Sequence, residues 1–148
     1  MENRKYELVE DQFFIYKGRK LYRIKALKDI SSAIPKNSVG GFVERYYNLS
    51  QEGKCWVYDN AKVYGNAKIE DDAFVEGEAE VYGNARVRNN ATLLSTSTVY
   101  GNAVIKDDAV VGDNAMVYDN ASIEGDAEVR GTIRVHDNTI ICHREEIK

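Results

Sequence analysis

From Val57 to Ile141 an aliphatic residue returns at every sixth position, fifteen times without a slip. Four places after each stands a small residue, alanine from Ala61 to Ala127 with Ser97 in one place, until the pattern gives way at Ile133 and Thr139. A period of six matches neither the 3.6 of a helix nor the two of a half-buried strand. It fits a solenoid in which each hexapeptide is one short strand plus one corner, and three hexapeptides make a coil of 18 residues. Residues one coil apart then lie above one another at about 4.8 Å.

The larger period has its own markers. Tyr64, Tyr82, Tyr100 and Tyr118 follow one another at intervals of 18, and His136 takes the next place. Asn66, Asn84, Asn102, Asn120 and Asn138 form a second column whose amides are placed to bond from coil to coil. Gly, Asn or Asp stands every six residues from 65 to 89 and again from 101 to 137, where corners need a left-handed backbone. The fold class is therefore all-β. A triangular prism over residues 55–142, lined by the branched aliphatics, follows a capping segment 1–54 and precedes a tail 143–148.

With an aliphatic residue followed four places on by a small one, residues 57–141 resemble the hexapeptide-repeat, left-handed parallel β-helix family. The resemblance implies the left hand, an exception to the right-handed crossover rule that the period alone does not supply. It also implies assembly as a parallel homotrimer. Together with Leu21-Tyr22-Arg23-Ile24, Val39-Gly40-Gly41-Phe42-Val43-Glu44, Asn48-Leu49-Ser50 and Trp56-Val57-Tyr58-Asp59-Asn60-Ala61, nearly the whole chain is similar to uncharacterised hexapeptide-repeat proteins of bacteria and phages, labelled transferases or polymer-forming proteins. Such labels rest on fold and transmit little function.

The outward residues sort onto three faces. One carries Trp56, Tyr58, Phe74, Leu94 and Val110, an apolar strip expected to be covered by the cap or by another subunit. The second carries the tyrosines and His136, either a structural aromatic ladder or a strip offered to a partner. The third carries Glu70, Arg88, Lys106 and Glu124, spaced for Glu70 to pair with Arg88 and Lys106 with Glu124. Before the prism, Phe13 to Leu27 reads as a β-hairpin turning at Lys17-Gly18-Arg19-Lys20, and this segment is the candidate cap for the first coil.

Charge is divided. Residues 1–54 hold 11 Lys and Arg against 7 Asp and Glu, whereas residues 55–132 hold 6 against 14. An acidic rod argues against phosphate-backbone binding and so against nucleic acid. No apolar run approaches a membrane span and no signal peptide opens the chain, so a cytoplasmic protein without a membrane partner is expected. Cys55 and Cys142 bracket the prism at roughly 20 Å by coil rise, too far for a disulfide.

Acyltransferases of the resembled family use a histidine base near a subunit interface, and this chain offers only His136 and His143. Two histidines do not complete a three-histidine metal site, and the column of Asp72, Asn90, Asp108 and Asp126 is explained by solvated corners, so no metal is expected. The leading expectation is a non-enzymatic binding or assembly module, phage- or mobile-element-borne and acting on a host component. It presents Tyr64, Tyr82, Tyr100, Tyr118 and His136 to a protein partner or to its own copies, without a cofactor. The alternative is an acyltransferase that binds acyl-coenzyme A between subunits, with His136 or His143 as base.

Overall fold

The computed structural model describes residues 4–143, so the tail beyond His143 lies outside the described residues. Fifteen two-residue strands, β4 (Trp56–Val57) to β18 (Ile140–Ile141), begin at every sixth position. Each pairs in parallel with the strand 18 residues on, as Val81 does with Val99 and Val99 with Val117. The result is three parallel sheets, one per face: β5 (Lys62–Val63), β8, β11, β14 and β17 under the tyrosines, β4 to β16 under the apolar strip, and β6 to β18 on the third side.

The inward assignment holds along the prism. Val57 and its successors to Val129, like the alanines four places on, are wholly buried, and Val135 is 4 % exposed. Ser97 replaces alanine without leaving an orphan, because its hydroxyl donates to the Leu94 carbonyl at 2.8 Å. Every corner from Asp59 to Asp137 takes a φ of 55° to 73°, including Ser95, whose residue type does not announce it. The corner acids do more than tolerate that backbone. Asp71, Asp107 and Asp119 accept the backbone N–H of Asn89, Gly125 and Asp137 one coil up, at 2.9 to 3.0 Å. The asparagine column bonds as expected between Asn84, Asn102 and Asn120, at 3.2 Å per step.

The third face departs from expectation. Glu70 binds Arg86, not Arg88, accepting the Nε hydrogen at 2.9 Å. Arg86 stands directly above Lys68 in the ladder, so turning its guanidinium sideways to Glu70 relieves a like-charge contact that a purely vertical reading ignores. Glu124 accepts the Ser122 hydroxyl at 3.0 Å, and no Lys106–Glu124 bridge forms among the described residues.

The N-terminal segment forms the expected hairpin, β1 (Tyr6–Tyr16) and β2 (Arg19–Ala26), through Lys17 and Gly18, both at positive φ. A two-residue turn of that kind matches the twist of its strands. β2 pairs antiparallel with β3 (Val39–Val43), and β3 then pairs in parallel with β5. Coil stacking thus begins before Cys55. Leu49 adds a parallel bridge to Ile69, and Tyr6, Ile24, Ile34 and Leu49 close the open end of the core at 1 % exposure or less. The Tyr6 hydroxyl donates to the Leu49 carbonyl at 2.5 Å, satisfying the one polar atom of that plug. No helix among the described residues is long and apolar enough to cross a membrane. Cys55 and Cys142 are free thiols.

Candidate functional site

The residue that follows each of β5, β8, β11, β14 and β17 places one aromatic ring per coil at the same corner of the prism. Tyr64, Tyr82, Tyr100 and Tyr118 stack at 5.0 Å between centroids and within 7° of parallel, and His136 continues the column at 5.4 Å from Tyr118. The strand spacing sets that distance, and rings repeating on it must lie nearly face to face. Burial raises the phenol pKa of Tyr82 and Tyr100, each helped by the next phenol in the column, so the hydroxyls remain donors.

Tyr64 does not share in the open part of this face. It is 3 % exposed because the hairpin arm folds onto it: Tyr16 meets its ring edge-on at 5.9 Å and the Arg19 guanidinium lies 5.6 Å from its centroid. The Tyr16 hydroxyl donates to Glu80, whose other oxygen takes the Tyr64 hydroxyl at 3.0 Å. Burial, with Glu80 beside it, pushes the Tyr16 phenol up to about 12. The accessible column is therefore Tyr82, Tyr100, Tyr118 and His136, with Lys17 near the Tyr82 ring at 5.8 Å and the exposed Arg134 beside His136.

His136 carries the one histidine–carboxylate pair among the described residues. Its Nδ1 lies 3.0 Å from an Asp137 carboxylate oxygen, and the side chains are 46 % and 78 % exposed. A carboxylate only accepts, so Nδ1 is the donor, and in the neutral imidazole the lone pair is then on Nε2, the tautomer a general base needs. The candidate base His143 is also exposed and follows Cys142 at the last coil, outside the column. Asp119, His136 and Asp137 bring three ligand atoms within 4.8 Å of one another, yet all are exposed and Asp119 already binds the Asp137 backbone N–H.

The apolar strip divides in two. Trp56 is 1 % exposed under the Tyr6 ring, whose centroid lies 6.3 Å away at 85°. Tyr58 and Phe74 pack edge-to-face at 5.4 Å and stay half-buried with Leu94 and Val110. The cap takes only the first residue of the strip, because β3 and the arm extend the tyrosine sheet below β5, while β4 ends its own sheet. Sequence reasoning missed Tyr16, Lys17 and Arg19 as parts of the aromatic face, since nothing periodic links a hairpin to a coil. It missed Asp137 because Val135-His136-Asp137-Asn138 repeats Val117-Tyr118-Asp119-Asn120, so the acid reads as a corner residue.

No family model matches the chain. Over 74 residues it is 42 % identical to a protein of Escherichia coli K12 named uncharacterized acetyltransferase YdcK. The match takes in 45 % of this chain and 22 % of that protein, so the shared part is about a fifth of the relative.

Proposed function

Since the chain is a hexapeptide-repeat protein of the left-handed β-helix kind, we propose that it transfers an acyl group from an acyl-coenzyme A thioester to an amine or hydroxyl, with His136 as general base. The observation that carries this reading is the His136–Asp137 pair at the head of the aromatic column. Asp137 holds the imidazole in one tautomer and stabilises it once protonated; Nε2 takes the acceptor's proton as its oxygen or nitrogen attacks the thioester carbonyl, and as the C–S bond breaks the imidazolium returns that proton to the sulfur, so the coenzyme leaves as its thiol. Tyr118 fixes the ring plane from below. Arg134 and Lys17 supply cations beside the column for the phosphates of the donor. In a cytoplasmic parallel homotrimer, the half-buried Tyr58, Phe74, Leu94 and Val110 supply the subunit contact, and the thioester lies between neighbouring prisms.

Thiol release from acetyl-coenzyme A, followed with a thiol reagent over a panel of amines and sugars, tests the proposal. His136→Asn is expected to lower the rate about 100-fold or more and Asp137→Asn about 10-fold, with the melting temperature unchanged. Wild-type release no faster than that of His136→Asn for every acceptor removes the enzyme reading. Sedimentation of the same sample as a monomer at micromolar concentration removes the trimer.

A second reading is favoured by the half-buried Tyr82, Tyr100 and Tyr118 lying in line along a rigid face: docking of a flat protein partner, a host component if the gene is phage-borne. Here Tyr82→Ala with Tyr100→Ala is expected to weaken capture of that partner at least 10-fold. Capture unaffected by the double variant rules the aromatic face out as the docking surface.

A further inference from the structure

Lys5 and Cys55 form a buried pair far from the chemistry assigned to His136. Lys5 immediately precedes β1 and Cys55 immediately precedes β4, so the pair sits where the capping segment meets the first coil. Lys5 is 1 % exposed and Cys55 is wholly buried. A lysine is almost never buried so fully without a purpose-built environment. Here Nζ lies 2.9 Å from the Cys55 carbonyl oxygen, 3.3 and 3.4 Å from those of Gly53 and Glu52, and 3.3 Å from Cys55 Sγ. The carbonyls hold the amine and fix its distance to sulfur. Nζ donates to these carbonyls and toward the sulfur, and on losing a proton it keeps a lone pair beside Sγ. Burial lowers the pKa of Lys5, toward the neutral amine, and raises that of Cys55, so the thiol meets an oxidant slowly and the amine stands ready to capture the sulfenic acid once it forms.

A way in exists. A cleft of about 460 Å³ elsewhere, between the arm and β5, is walled by Phe14, Arg23 and Phe42, but another of about 550 Å³ is lined by Lys5 itself with Lys28, Asp29, Gln51, Glu52 and Gly53. That cleft touches Lys5 while Cys55 lies wholly buried behind it, so peroxide, little larger than water, meets the sulfur when the cap opens locally.

We propose that Lys5 and Cys55 are an oxidative cross-linking site, in which peroxide converts the thiol to a sulfenic acid and the amine then condenses with it to an S–N bond. In the first step sulfur takes one peroxide oxygen as the O–O bond breaks, leaving S–OH and one water. In the second the Nζ lone pair attacks sulfur, the S–O bond breaks, and the hydroxide leaves with an amine proton as a second water. Sulfur is oxidised by two electrons and peroxide is the species reduced. The link ties the start of the cap to the first coil and closes the chain across the segment that plugs the core.

The experiment uses the full chain carrying Cys142→Ser, so that the exposed thiol forms no intermolecular disulfide. After hydrogen peroxide treatment, digestion and tandem mass spectrometry are expected to find the Lys5 and Cys55 peptides joined, about 2 Da lighter than their sum, and separated again by excess thiol. A joined pair carrying one further oxygen supports the same junction. The oxidised chain is expected to melt about 10 °C higher, because a loop near fifty residues long is closed in the unfolded state. Lys5→Gln is expected to divert Cys55 to sulfinic and sulfonic acids. Cys55 reaching those acids in the chain that keeps Lys5, or staying reduced at peroxide levels that fully oxidise Cys142 in the wild type, overturns the proposal.

Discussion

Val99→Asp is expected to unfold the central coils, with a loss of more than about 4 kcal/mol. Val99 is wholly buried and lies in the ladder between Val81 and Val117. The substitution forfeits about 2 kcal/mol of aliphatic burial and places a carboxylate among side chains that offer no donor. The backbone does not help, since the surrounding N–H groups are committed to the ladder, that of Tyr100 to the Val117 carbonyl at 3.0 Å and that of Tyr82 to Val99 at 3.0 Å. In a solenoid each coil rests only on those above and below, so damage in the middle deprives both halves of a neighbour. With a net stability in the usual range of about 5–15 kcal/mol, most of the folded population is at stake. Urea unfolding followed by circular dichroism measures it. An unchanged midpoint would mean that Val99 does not face the interior.

Gly40→Ala is expected to loosen the cap by about 3 kcal/mol while leaving the upper coils in place. A Cβ at this position would stand 2.8 Å from Ile24 Cγ1 and 2.9 Å from Trp56 Nε1, and closer still to the Val57 carbonyl oxygen. The backbone oxygen belongs to the first coil and cannot turn away as a flexible side chain would. Glycine is required here for close approach between β3 and β4, and not for an unusual φ. Trp56 is the sole tryptophan, so its fluorescence reports the cap directly: a red shift at denaturant concentrations where the far-ultraviolet signal is still native is the expected result. Gly18→Ala is the control. Nothing lies within 4 Å of its Cβ, and its φ of 78° makes the cost conformational and local to the turn. Equal shifts from the two variants would mean that β3 does not seal the core.

The contrast between these two positions marks where the sequence is legible. Val99 is inward by period alone, and so are its ladder partners, because a repeat of six converts position in the chain into position in space. The same arithmetic placed Tyr82 on Tyr100 and Asn84 on Asn102. It failed where neighbours are not a whole coil apart. Glu70 chose Arg86 over Arg88 because a long side chain answers to charge on either side as well as above. Ser95 sits in a left-handed corner because the coils on both sides hold it there, against its own preference. Asp137 serves as a corner and faces His136 at once, and only coordinates separate the second role from the first.

What the sequence determined by itself is the prism: its coil length, its lining and its stacked columns, since every one of those contacts is repeated and each repeat restates the rule. The tertiary structure decided which parts of the prism are left for use. The arm that buries Tyr64, the Tyr6 ring that covers Trp56, and the Lys5 amine set beside Cys55 each join segments with no shared period. Their pairing rests on which end of the core was open and which surfaces were apolar when the chain closed over it, and those are properties of the assembled coils.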